Sequence, residues 1–262
     1  MNIIETIILG LIQGLTEFIP ISSSGHLVIG QNFLSGASDH LFLEFINIGT
    51  MCALFIYFRR RIVAIIRDVF VRRNYRLARN IVITSVPAGT VGFLLSDFIG
   101  SSMFFGSLVT VTVTLFAVGA VMVVLERLPK ASATKNGEAL SSLRALAIGV
   151  AQTIALIPGV SRSGSTIIAG RLSGLSPAEA AEYSFLASLP IMMGVTLKVF
   201  LSDQAYLIDN WLPLLIGNGA ALLSGLVAVG FLMRYLSKHS LALFGWYRIG
   251  LASVMTVVLL IQ

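Results

Sequence analysis

Six apolar stretches of near-membrane length, at 41–58, 80–98, 103–125, 182–201, 211–233 and 243–261, set the first limit on this chain. Each is close to the roughly 20 residues a helix needs to cross a hydrocarbon layer about 30 Å thick. In lipid, only helices and closed barrels leave no backbone group unpaired. Of 262 residues, 56% are hydrophobic and 11% charged, whereas roughly a quarter are charged in soluble domains. The sequence therefore predicts an all-α polytopic membrane protein, with one membrane domain over 1–262.

A net charge of +6 raises the question of nucleic acid, but the basic residues sit in loops between spans. Arg59, Arg60, Arg61, Arg67, Arg72, Arg73, Arg76 and Arg79 lie between the first two spans, with Asp68 as the one acid among them. The positive-inside rule places that loop in the cytoplasm. The next loop, 99–102, has no Lys or Arg; the following one carries Arg127, Lys130, Lys135 and Arg144; 202–210 carries Asp203 and Asp209; 234–242 carries Arg234 and Lys238. Basic and non-basic loops thus alternate as six crossings require, which assigns the charge to topology and puts the end of the last span outside. The lone Cys52, beside Met51, Ala53 and Leu54, is a packing residue. The first apolar segment lacks a basic leader and a small-residue cleavage pattern, so it is expected to belong to the fold.

Two apolar regions remain, about 1–33 and 144–175, and each is broken by a proline followed by small polar residues. Pro20 disfavours helical geometry at Ile19 and removes a backbone donor. Both regions read as re-entrant hairpins, which membranes admit only where protein or trapped water satisfies the bare backbone. Set side by side at a constant offset of 139, Gly10, Gln13, Ser22, Ser24 and Gly25 meet Gly149, Gln152, Ser161, Ser163 and Gly164. The prolines, Pro20 and Pro158, are displaced by one position. Three spans separate the hairpins, so one enters from outside and the other from inside. The expected architecture is six transmembrane helices plus two re-entrant hairpins in an inverted-topology repeat, about 1–125 and 144–262.

In such repeats the site lies near the midplane, between the ends of broken helices. Ser22, Ser23 and Ser24, and Ser161 and Ser163, precede renewed apolar runs, offering serine caps and free N–H groups at two helix starts, a cradle for an anion. Arg162 adds the planar fork best suited to phosphate. Gln13 and Glu17, four residues apart, share a helix face. A carboxylate beside phosphate needs a proton or cation between them. One carboxylate with a neutral amide suits a hard divalent ion such as Mg²⁺. His26 can give or take a proton. Ser23 becomes a nucleophile if His26 or Glu17 draws off its proton. Together the set points to phosphoryl chemistry, although turn formation alone would also account for the serines. Glu44 reaches either the same cavity or the interface, and His40 and His239 are expected in solvated loops.

The stretches "QGLTEFIPISSSGH" and "PGVSRSG" resemble the two signature motifs of the undecaprenyl-diphosphate phosphatases, bacterial membrane enzymes linked to bacitracin resistance. The likeness in layout covers essentially the whole chain. It implies hydrolysis of a polyprenyl diphosphate lipid to the monophosphate, recycling the carrier for cell-wall assembly. It also implies a divalent cation, Mg²⁺ or Ca²⁺, and a bacterial cytoplasmic-membrane protein whose active site faces the periplasm or cell exterior. By this resemblance Glu17 takes the fixed acidic place, catalytic or metal-binding, and Gln13 the variable one, a ligand through its carbonyl. His26 falls on the family's catalytic histidine, Arg162 on its phosphate-gripping arginine and Ser23 on its proposed nucleophile. Ser24 stands where threonine is common and keeps the hydroxyl. Whether Ser23, His26 or a metal-bound water attacks phosphorus stays open. The partners expected are the lipid substrate and the bilayer, with a homodimer admitted. The rival reading is a secondary transporter or lipid flippase, since broken helices in inverted repeats are also transporter architecture.

Overall fold

The structure is a computed structural model that describes residues 2–30, 34, 39–128 and 136–261. Lys130 and Lys135 of the third loop, and the side chain of Asp97, lie outside the described residues.

The first apolar segment forms α1, Ile3–Phe18, capped by the Asn2 side chain on the Glu5 amide, and then a shorter α2, Ser23–Gly30. Between them Ile19 adopts an extended conformation before Pro20, the geometry a following proline favours. At 1.5 Å per residue α1 spans about 24 Å and α2 about 12 Å, so neither crosses a bilayer core alone.

Next come α3, His40–Tyr57, and α4, Arg59–Phe70. The second span is α5, Arg76–Leu94; it is followed by two short helices, α6, Ser96–Ser101, and α7, Met103–Gly106, before α8, Leu108–Leu125. The second broken segment supplies α9, Ser142–Ile154, and α10, Arg162–Leu172. The chain ends with α11, Pro177–Ser202, a short α12, Gln204–Asp209, then α13, Trp211–Leu236, and α14, Ala242–Ile261. Six of these, α3, α5, α8, α11, α13 and α14, are long and apolar enough to cross a membrane, and no strand occurs among the described residues.

The span boundaries differ from the sequence expectation where polar residues intervene. Helix α5 starts at Arg76 rather than residue 80, because arginines at a helix end can run their stems along apolar surface and keep their heads in water. It stops at Leu94, and the apolar residues that had been assigned to its end form α6 instead. The third span starts at Leu108 because Ser107 is extended. The arginine-rich loop after the first span is largely the helix α4, in which no residue is buried. Its Ile62 and Ile65 lean on the core while Val63, Ile66 and Phe70 stay exposed among Arg59, Arg60 and Arg67. Basic heads beside exposed apolar side chains are the pattern of a helix lying in a membrane interface.

Contacts between helix ends agree with the alternation of loops. Arg61 pairs with Glu182 at 2.9 Å and Arg171 with Glu126 at 3.5 Å, all at basic-loop ends. Tyr206 bonds Asp39 at the opposite ends. Inside, α1 packs along α13 and α9 along α5. Small residues permit both approaches. A Cβ on Gly10 would lie 2.4 Å from the Gly217 carbonyl oxygen, and one on Gly14 only 2.0 Å from Ser224 Oγ and 2.4 Å from the Ala221 carbonyl oxygen. Close backbone contact of this kind is a main source of helix association in lipid, where water no longer drives burial. Gly14→Val is therefore expected to force α1 off α13. The checks are a fall in melting temperature of the detergent-solubilised protein and a loss of monodisperse elution, corresponding to about 1–3 kcal/mol or more of overpacking strain.

Candidate active site at the two helix breaks

The two chain breaks have the same local geometry. Ser22 and Ser161 both have φ of +76°, a left-handed conformation that costs a serine of order 1 kcal/mol or more. Each is held there by what it caps. Ser22 Oγ accepts from the Gly25 amide at 3.2 Å, and Ser161 Oγ accepts from the Gly164 amide at 3.1 Å. Each also contacts the second serine after it, Ser22 to Ser24 at 3.2 Å and Ser161 to Ser163 at 3.1 Å. The residue that follows the strained serine opens the helix. It is Ser23 at the first break and Arg162 at the second, so these two side chains occupy equivalent places.

Glu17, in the last turn of α1, joins the breaks. Its Oε1 accepts from Arg162 Nη2 at 2.6 Å, and its Oε2 accepts from Ser23 Oγ at 2.6 Å and from Gln13 Nε2 at 3.1 Å. The backbone oxygen of Glu17 accepts from Ser163 Oγ at 3.4 Å. The side chains of Glu17 and Arg162 are only 12% and 21% exposed. Their attraction is therefore weakly screened, and removing one leaves the other poorly solvated. Both still border a cleft of about 250 Å³, with Ser23, Ser24, Asn47 and Ser161 as its other polar walls. Ala155, together with Ile191, Met192, Val195 and Thr196 of α11, forms the remaining wall. That volume is below the usual range for drug-sized ligands and suits a headgroup more than a whole lipid. A larger groove of about 630 Å³ runs along α13 past Val227, Phe231 and Arg234, but its open, largely apolar surface has the character of lipid-facing exterior.

The sequence-predicted residues divide into three groups. Glu17, Ser23, Ser24, Ser161 and Arg162 border the cleft. Gln13, Ser22 and Ser163 are buried behind it, where they brace Glu17 or cap the helices. His26 is turned elsewhere. Its Nδ1 donates to the Ser22 carbonyl at 2.7 Å, since that oxygen can only accept, and its Nε2 meets the Tyr247 hydroxyl at 2.8 Å on a ring stacked nearly parallel. The proton partner of Ser23 is thus Glu17, and both ring nitrogens of His26 are engaged away from Ser23. Glu44 is exposed and does not border the cleft; His239 lies exposed in the loop after α13, against the Tyr235 carbonyl, while His40, expected in a loop, is the exposed first residue of α3.

Two residues escaped the sequence reading. Asn47, midway along α3, borders the cleft and accepts from Gln13 Nε2 at 2.6 Å. Arg248, on α14, is fully buried. Its guanidinium donates to the Pro20 carbonyl at 3.2 Å, the Val160 carbonyl at 3.2 Å and the Gly159 carbonyl, with longer bonds to Leu115 and Thr114. Those first three oxygens belong to the two breaks. No carboxylate lies within ion-pair distance of it among the described residues. Its presence inside an apolar span was the available signal, because an ionisable residue there marks a functional position by default.

Fold and site together define a polytopic helical membrane protein with an internal polar cleft carrying a hydroxyl, a carboxylate and a guanidinium in mutual contact. The chain belongs to the family described as bacitracin resistance protein BacA, whose model matches residues 6–254. It is 38% identical over 255 residues to undecaprenyl-diphosphatase 1 of Burkholderia cenocepacia (strain HI2424), covering 94% of this chain and 92% of that one. The undecaprenyl-diphosphatase of Nitrosomonas europaea is 37% identical over 251 residues, covering 95% and 91%. That of Clostridium tetani is 33% identical over 261 residues, covering 97% and 96%.

Replacing Arg248 tests what holds the breaks. Arg248→Leu strands the carbonyls of Pro20, Gly159 and Val160 without donors, at about 1–3 kcal/mol each. The expected result is a melting temperature lowered by many degrees, with faster proteolysis at residues 19–22 and 157–161. Unchanged melting would show that water or other donors suffice.

Proposed function

We propose that this protein hydrolyses undecaprenyl diphosphate to undecaprenyl phosphate and inorganic phosphate, returning the lipid carrier to cell-wall synthesis. The observation that carries the reading is Glu17 bridging Ser23 Oγ and Arg162 within one cleft. Membership of the family, and relatives of that name matching along more than nine-tenths of their length, supply the substrate class.

On this reading Arg162 grips the terminal phosphoryl group through guanidinium donors, and the backbone N–H groups opening α2 and α10 add neutral positive ends. Ser23 Oγ attacks phosphorus while Glu17 takes its proton. The bridging P–O bond breaks and lipid phosphate departs. Glu17 gives that proton to the departing lipid phosphate. Ionised again, it takes one from the water that attacks the phosphoserine and returns it to Ser23 Oγ as inorganic phosphate is released. His26, held by Ser22 and Tyr247, fixes the first turn of α2 instead of supplying the nucleophile. A flippase has no use for a hydroxyl poised on a carboxylate, so the same contact favours hydrolysis over transport.

The donor set also suits a divalent cation. No group of three His, Cys, Asp or Glu occurs among the described residues, which disfavours a zinc-type site. One carboxylate, Glu17, beside the neutral amide of Gln13 matches what Mg²⁺ or Ca²⁺ asks of protein when substrate phosphate provides further oxygens. Such an ion would neutralise diphosphate charge at Glu17.

The cleft is read as opening outward. Asn47 lies seven residues from the His40 end of α3, and Val195 seven from the Ser202 end of α11. That is about 10 Å below the ends assigned outside by loop charge. Beyond Pro190 the outer half of α11 is largely exposed, and its Ile191 and Val195 would meet the first isoprene units of a tail that stays in lipid. The matched serine geometry, and the pairing of α1 with α13 and α9 with α5, support an inverted repeat of about 1–125 and 144–262 with re-entrant hairpins.

Phosphate release from undecaprenyl diphosphate by purified protein, with Mg²⁺ or Ca²⁺ and with chelator, is the test. Release is expected with metal and loss with chelator. Glu17→Gln, Arg162→Ala and Ser23→Ala are each expected to lower kcat at least about a hundredfold, the scale for loss of a principal charge-stabilising or reacting group. Near-normal turnover in the Glu17 or Arg162 variant would refute its role.

A further inference from the structure

Asn47 occupies a position that the two helix breaks do not explain. It comes from α3, outside both breaks, yet borders the same cleft as Glu17. Its amide orientation is fixed from both sides. Asn47 Nδ2 donates to the Leu43 carbonyl at 2.9 Å, which turns Oδ1 toward Gln13, and Gln13 Nε2 donates to that oxygen at 2.6 Å. The same nitrogen donates to Glu17 Oε2 at 3.1 Å. A single polarised –NH₂ group therefore stands between a carboxylate oxygen and an amide oxygen. Both oxygens belong to residues that face the cleft.

The terminal torsion of a glutamine is soft and roughly two-fold. Half a turn of the Gln13 carboxamide exchanges its nitrogen for its oxygen at nearly the same point. The Gln13 oxygen would then lie about 3 Å from both the Glu17 and the Asn47 oxygen, contacts that are repulsive unless a cation lies among the three. For an octahedral Mg²⁺ with oxygens at about 2.0–2.1 Å, adjacent ligands are about 2.9 Å apart, close to the 2.6 and 3.1 Å of the present contacts. One carboxylate and two amides leave half of an octahedral shell for water and phosphate oxygens. We propose that Asn47 is the third protein ligand of the divalent cation, and that Gln13 switches from bracing the empty pair of oxygens to joining them as a ligand. This inference rests on the phosphatase reading for the identity of the phosphate oxygens, but not for the protein ligands.

Electron paramagnetic resonance of Mn²⁺, a hard octahedral probe, tests it on the purified full-length protein, with and without methylenediphosphonate and without any turnover. The native protein is expected to bind one Mn²⁺, more tightly with the diphosphonate. Asn47→Leu is expected to weaken binding at least about tenfold, while Asn47→Asp, which offers an oxygen of the same reach, keeps or strengthens it. Melting curves of both variants check that the fold is intact. Unchanged Mn²⁺ affinity in Asn47→Leu would overturn the assignment, as would equal loss in Asn47→Leu and Asn47→Asp. So would absence of Mn²⁺ binding by the native protein under both conditions. Phosphate release measured separately on the native protein distinguishes any of these outcomes from failure of the phosphatase reading.

Discussion

Interrupted helices inside an apolar layer leave carbonyl oxygens that lipid cannot satisfy, and every other feature of the site depends on how these are satisfied here. A single guanidinium does much of it. Arg248 gathers the carbonyls of Pro20, Gly159 and Val160, oxygens that belong to breaks about 139 residues apart in sequence. Its five donors in a rigid fork suit several acceptors at once, which a lysine could not serve in the same plane. Its charge has no carboxylate partner among the described residues, so part of its desolvation cost is met by those carbonyl dipoles.

With the breaks held, their geometry follows from short-range rules. A serine at positive φ places its hydroxyl back on the amide three residues later and turns the next residue into the cleft. The two occurrences of this motif deliver different chemistry, because the residue so presented is a hydroxyl at one break and a guanidinium at the other. Glu17 lies between them and contacts both. The strain at Ser22 and Ser161 is tolerable because it is offset locally by capping bonds and globally by the Arg248 contacts. It also fixes the direction of Ser23 and Arg162 more tightly than a flexible loop could.

Much of this could be read from the sequence, for identifiable reasons. Hydropathy located the six crossings because their length is imposed by the bilayer and not by neighbours. The serine–glycine tips, and Glu17 and Arg162 as separate site candidates, were legible because polar groups in an apolar segment are costly enough to need a reason; that the two side chains pair directly was not. The ends of α5 and α8 were misplaced because apolar residues continue past helix breaks that only local backbone geometry sets. The basic loop concealed a helix, α4, whose amphipathic pattern is interrupted by arginines. Arg248 was legible as a charge within an apolar span, but beside Trp246 and Tyr247 it reads equally as an interfacial arginine; its inward direction is a property of packing against α8. Asn47 and the Tyr247 partner of His26 are long-range contacts, and no local pattern announces them.

Electrostatics explains why Glu17 and Arg162 would be paired before substrate arrives. Two opposite charges withdrawn from water are far less costly together than apart, so the resting cleft is internally neutral at that pair. A diphosphate brings more negative charge than Glu17 and more acceptor oxygens, and can draw Arg162 away from it. Glu17 is then left with Ser23 Oγ at 2.6 Å. On the proposed reading, binding of the headgroup thereby frees Glu17 to take the Ser23 proton. Arg248 stays fixed on the carbonyls behind the breaks and keeps the surroundings positive while this exchange occurs.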